Sequence, residues 1–277
     1  MSLVTGACST LRFGYNQAAD LAYWWLDGYV DFNDAQTVLA RNAIATWFVW
    51  HRSTQLPVYA KLLVSAENEV VTDSTPGQVC VWWDTLSTSL QTSLERAVPA
   101  ASELVLSISP AQIEHIERRY AKANAEFRDE YLQSDPLKRR RESIRRATER
   151  AELLYGKMQE AQREQIARLV ARSPFDPELW FNERRRRQQD ALQILRRVAA
   201  DGLGPEQVQA ALRGYLERSR QSPKDDYRQH SETLTAFNCA LAATLHNSTD
   251  PAQRQSAVQK LKGWESDLRS LSADVLR

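Results

Sequence analysis

The chain has 277 residues, enough to bury a core in one large helical domain or two small ones. With 43% hydrophobic and 26% charged residues and only 9 Gly and 10 Pro, its composition excludes a disordered or fibrous chain. A formal net charge of +1 argues against a polyanion-binding protein, and the longest apolar runs, around Ile44 to Trp50 and Leu241 to Leu245, fall far short of the ~20 residues of a membrane span.

The first feature in chain order is Leu3-Val4-Thr5-Gly6-Ala7-Cys8, small residues before a cysteine, like the end of a bacterial lipoprotein signal. That pattern puts Leu three positions before the Cys, where this chain has Thr5, and the charged start and apolar run of a signal peptide are absent. By spacing alone, Cys8 reads either as a lipid-attachment residue or as a free thiol on a tail. An aromatic tract follows, Tyr15 through Tyr23-Trp24-Trp25 to Tyr29 and Phe32, with Asp20, Asp27 and Asp31 spaced along it. These carboxylates read as turn and cap residues and the rings as core anchors; acid/base work by a carboxylate pair is the alternative.

From here a recurrent signature marks helix starts: a small polar residue, often followed by Pro, with Gln three positions on. It occurs at Asn33-Gln36, Thr75-Gln78, Ser109-Gln112, Gln159-Gln162, Gly204-Gln207 and Asp250-Gln253. In such a capping box the first side chain accepts from an orphan N–H of the first turn while Gln reaches back to the cap's own N–H. Gln159 and Gly204 are the weaker caps of the six. Behind the starts the apolar spacing is helical. Ile113, Ile116, Tyr120, Ala123, Phe127 and Tyr131 step by threes and fours, as do Val258, Leu261, Trp264, Leu268, Leu271 and Val275; Tyr227, Leu234, Phe237, Leu241 and Leu245 make a third stripe. Breaks are expected at Pro57, Pro76, Pro99, Ser134-Asp135-Pro136, Gly156, Ser173-Pro174 with Asp176-Pro177, Gly202 to Pro205, Ser222-Pro223 and Asn247 to Pro251.

The fold class is therefore all-α: an irregular bundle or stacked helical hairpins of about ten helices. Residues 1–10 read as a lipoprotein-like tail and 11–277 as a single helical domain, with an aromatic-rich front (11–107) and an Arg/Glu/Gln-rich back (108–277). Residues 1–107 carry 5 Lys/Arg against 10 Asp/Glu, and the remainder 31 against 25. The boxes lie 42, 34, 50, 45 and 46 residues apart; the last three steps suggest a helix-pair repeat, but the apolar positions between them do not align as a solenoid requires.

Chemistry is sparse. His51, His115, His230 and His246 stand apart, without a nucleophile or ligand at motif spacing, and read as satisfied or solvated side chains. Cys8, Cys80 and Cys239 lack zinc spacing; Cys80 and Cys239 read as two buried free thiols, with pairing in an oxidising compartment as the alternative. The basic runs Lys138-Arg139-Arg140-Arg141 with Arg145-Arg146, and Arg184 to Arg187 with Arg196-Arg197, are interleaved with Glu142, Glu149, Glu152, Glu178, Glu183 and Asp190. They read as ion-paired helix faces rather than a nucleic-acid surface. No catalytic, cofactor-binding or metal-binding residue is assigned.

The stretches Leu11 to Gln17, Ala22 to Phe32 and Trp47-Phe48-Val49-Trp50-His51-Arg52, with Asn182-Glu183-Arg184 and Pro251-Ala252-Gln253-Arg254, resemble an uncharacterised proteobacterial family of predicted lipoproteins. The resemblance covers nearly the whole chain. It implies a lipid on Cys8, and Ser9 after it implies sorting to the outer membrane, facing the periplasm. Ser109 to Gln112, Gly204 to Gln207 and Asp250 to Gln253 are also similar to the Leu-Thr-x-x-Gln motif of Spy- and CpxP-like periplasmic helical chaperones, with Gly204 and Asp250 in place of Thr. Together these point to a non-enzymatic envelope lipoprotein, held to the membrane through Cys8, that binds a protein partner or unfolded client. An enzyme acting on an envelope polymer through a Trp/Asp-lined cleft, and a nucleic-acid-binding helical protein, are the alternatives.

Overall fold

A computed structural model describes residues 10–273. Those residues form ten α-helices and no strand: α1 (Thr10–Val30), α2 (Asp34–Glu69), α3 (Pro76–Leu106), α4 (Pro110–Tyr131), α5 (Pro136–Tyr155), α6 (Glu160–Val170), α7 (Pro177–Asp201), α8 (Pro205–Arg220), α9 (Asp225–Asn247) and α10 (Pro251–Ala273). Cys8 and the first nine residues of the expected tail lie outside the described residues. The protein is all-α, as the periodicity requires.

Every box in the sequence opens a helix. Four are reciprocal. Asn33 and Gln36 exchange bonds of 3.0 and 3.1 Å, and Thr75 with Gln78, Ser109 with Gln112 and Asp250 with Gln253 do the same. At Gln159 and Gly204 only the Gln-to-backbone half forms, at 2.9 Å in each case, because Gly204 has no side chain and the Gln159 amide bonds Asp250 instead of the first turn. Asp135 and Asp176 cap α5 and α7 ahead of Pro136 and Pro177, a start the Gln signature does not mark.

Two expected breaks do not occur. Pro57 lies inside α2 and Pro99 inside α3. Each ring removes one helical N–H at a cost of about 3 kcal/mol. Burial on the same turns offsets it: Leu56 and Ala60 beside Pro57, Val98 and Ser102 beside Pro99, are all buried.

The chain divides into two compact units, residues 1–68 with 258–277, and residues 69–257. In the first, Tyr23 of α1 bonds Thr37 of α2 at 3.0 Å and lies under the Arg41 guanidinium at 3.8 Å. The α10 stripe turns Val258, Leu261 and Leu271 inward here.

In the second unit α3 packs along α8 and α9, α4 against α7, and α5 against α6. One core cluster joins Ala151, Met158, Ile166 and Leu245, covered by Ile144, Ala147, Tyr155 and Val170. Another stacks Phe127 of the α4 stripe on Trp180 and Phe181 of α7 at centroid distances of 4.9 and 5.5 Å. Cys80 of α3 and Cys239 of α9 form a disulfide with a Cα–Cα distance of 5.4 Å. The two-free-thiol reading is thereby corrected: helical phase puts both cysteines on facing sides of α3 and α9, a proximity invisible across 159 residues of sequence.

Candidate functional site

α3 is amphipathic the wrong way round for a core helix. Its buried residues are Ser89, Ser93 and Ser102, with Val98 as the buried aliphatic. Ser93 and Ser102 spend their hydroxyls on carbonyls of their own helix, those of Ser89 and Pro99, so neither is orphaned by burial. Trp83, Leu86, Leu90 and Leu94, spaced three, four and four apart, point to solvent, with Trp83 56% and Leu90 59% exposed. They form one straight stripe about 16 Å long on an α-helix. Charged groups border it closely: Asp84 and Arg96 are exposed on neighbouring turns, and Glu95 holds Arg213 of α8 at 2.5 Å. The stripe is legible in the sequence as a helical apolar face, but its spacing carries no sign of facing outward, since such faces normally turn to the core.

α1, in the other unit, also turns aromatics outward. Phe13, Leu21, Trp24 and Trp25 are exposed, the two Trp at 60% and 64%. This corrects the expectation that these rings anchor a core; among the tract's rings Tyr23 is the buried one. The three carboxylates have structural partners or positions. Asp20 pairs with Arg41 at 3.1 Å, Asp27 accepts from the Phe32 N–H at 3.0 Å where α1 ends, and Asp31 occupies the turn with φ of 59°.

The resemblance-bearing residues of α1 and α2 meet in one cluster. Tyr15 and His51 are bonded at 2.7 Å, Trp47 stacks on His51 at 4.7 Å, and Arg52 lies over Tyr15 while its Nη2 donates to Asn16 at 2.7 Å. Burial lowers the His51 pKa, and burial pushes Tyr15 up to about 12 against the pull of Arg52. The phenol therefore keeps its proton, and which way its bond to Nδ1 runs follows the imidazole tautomer. His246 is a satisfied core histidine, with Nε2 2.7 Å from the Thr72 carbonyl and Nδ1 2.9 Å from the Tyr155 hydroxyl. Among the described residues no group of three or more His, Cys, Asp or Glu is placed to hold a metal ion.

The basic runs make ion pairs as their interleaved carboxylates suggest. Arg145 bridges Glu142 and Glu149, and Arg196 pairs with Glu117 at 2.6 Å. Arg184 donates to Asn124 at 3.0 Å. Arg186 and Arg187 both bind Glu183, which also accepts from Ser222 at 2.9 Å. Arg218 and Arg186 share Asp190. Burial raises the Glu183 pKa, but the bonds from Arg186, Arg187 and Ser222 outweigh it and leave the carboxyl below its ordinary range.

A family described as a family of unknown function, DUF6279, matches residues 28–228. Comparison with curated proteins and with solved structures returned no match.

Proposed function

We propose that this chain, which belongs to the DUF6279 family, is a non-enzymatic lipoprotein of the proteobacterial cell envelope that binds apolar segments of other proteins, in the manner of a periplasmic chaperone. The observation that carries the protein-binding clause is the inverted α3. A helix that buries serines and presents Trp83, Leu86, Leu90 and Leu94 to solvent is poorly composed for the stability of an isolated chain. A partner segment laid along it would bury one apolar anchor per turn, the spacing by which helices and grooves recognise each other. The narrow stripe with Asp84, Glu95 and Arg96 at its margins suits a peptide segment, since charged flanks fix register and keep the free surface soluble.

Two observations support the envelope address. Small residues precede Cys8 as in a lipobox, with Thr5 in the place of its Leu, and the Cys80–Cys239 disulfide suits an oxidising compartment. The test is aggregation of a reduced, unfolded client followed by light scattering with the protein at equimolar ratio. The wild type should slow aggregation severalfold, and Leu86→Gln/Leu90→Gln/Leu94→Gln should abolish this while keeping the helical circular dichroism. Undiminished protection by the triple variant, or no protection by the wild type, overturns the reading.

A further inference from the structure

The outward face of α1 differs from that of α3 in a way that separates their occupants. On α1 the exposed positions Phe13, Gly14, Gln17, Leu21, Trp24, Trp25 and Gly28 fall within one side of the helix over about 22 Å. The one exposed charge in this helix is Asp20, at the edge of the face, and Arg41 neutralises it at 3.1 Å. A Cβ placed at Gly14 or Gly28 would meet nothing, so the face is open at both ends. A broad, nearly uncharged face rich in Trp is the composition of a helix lying in a membrane interface, where indole rings sit among headgroups. No helix among the described residues is long and apolar enough to cross a membrane, so α1 would lie on one.

We infer that α1 rests in the plane of the bilayer surface, with Phe13, Leu21, Trp24 and Trp25 in the headgroup layer, and that it is the second membrane contact beside the lipid on Cys8. The inference rests on the anchor reading for this orientation. Cys8 stands two residues before Thr10, where α1 begins, so a lipid on its sulfur would hold the helix start within about 7 Å of the anchor.

The experiment uses the full chain, as Cys8→Ser, with vesicles of phosphatidylethanolamine and phosphatidylglycerol carrying brominated acyl chains. Vesicle flotation should recover Cys8→Ser, and Phe13→Gln/Trp24→Gln/Trp25→Gln in that background should lower partitioning at least tenfold. Bromine quenching of Trp emission should likewise disappear with Trp24 and Trp25, whereas Leu86→Gln/Leu90→Gln/Leu94→Gln should leave both readouts unchanged. Equal partitioning with and without the α1 rings, or absence of quenching, overturns the inference. The mass of the Cys8 peptide from the wild-type protein in a Gram-negative envelope tests the anchor separately, so an unmodified cysteine sinks that reading without touching the flotation result.

Discussion

At the scale of single residues, stability is concentrated where polar groups are buried with every bond made. Gln162 and Gln253 come from two capping boxes 91 residues apart and lie amide to amide, at 2.7 and 2.9 Å. Gln162 also bonds the Gln159 N–H and the Ser248 carbonyl, and Gln253 the Asp250 N–H and the Lys157 carbonyl. Both donors and both lone-pair directions of each amide are thus used, which is what allows two glutamines in a core. Glu183 is the charged counterpart, 3% exposed and held by Arg186, Arg187 and Ser222. Glu183→Ala leaves Arg187 without its carboxylate and Arg186 with Asp190 alone, and should destabilise the fold by about 3 kcal/mol, the low end of the cost of breaking a buried pair, read as a shift of the urea midpoint. Because its folded pKa is depressed, the carboxylate's contribution is complete above the ordinary glutamate range and drains as pH falls through that range toward the lower folded value. Wild type should therefore lose its advantage over Glu183→Gln on acidification; a midpoint difference unchanged between pH 7 and pH 3 contradicts the assignment.

At the scale of elements, α3 is the helix whose sequence face and structural face disagree. Its buried positions are mostly serines, and the Cys80–Cys239 link clamps it to α9. Small residues give little apolar burial, and a disulfide supplies stabilisation that such an interface lacks. Closing a loop of 159 residues is worth up to about 5 kcal/mol on the loop-entropy argument. Cys80→Ser/Cys239→Ser should lower the unfolding free energy by a large part of that amount, and reduction of the wild type should do the same. Two free thiols in protein isolated from an oxidising envelope, detected by alkylation and mass spectrometry, would remove the clamp from the description. Pro57 and Pro99 carry a related lesson. Taken singly, Pro interrupts a helix; in α2 and α3 buried neighbours on the same turn carry the helix through.

At the scale of the whole molecule, the proposed address and the apolar surfaces belong to one argument. A chain with an exposed Leu/Trp stripe on α3 and exposed Trp rings on α1 is aggregation-prone at high concentration unless those faces are occupied. Anchoring at a membrane would give α1 its occupant and hold α3 where clients pass. Expressed from its own gene in a Gram-negative host, the protein should sediment with membranes and be released by detergent. Cys8→Ser, left with the α1 face alone, should be stripped from those membranes by alkaline carbonate that leaves the wild type bound; wild type found wholly in the soluble cytosol would end the envelope reading.

The sequence by itself determined what depends on neighbours within a turn or two: the helical class, the capping-box starts, the weakness of the Gln159 and Gly204 caps, and the pairing of arginines with carboxylates three or four residues away. These are local because capping and side-chain spacing act over one turn. Tertiary structure decided which side of each helix faces inward, and so which rings are exposed; it decided that Cys80 meets Cys239 and that two capping boxes dock amide to amide. It also buried Ser93 and left Leu90 to solvent. Periodicity reports that a helix has an apolar face, but what that face meets depends on the shape of its neighbours, which no local pattern contains.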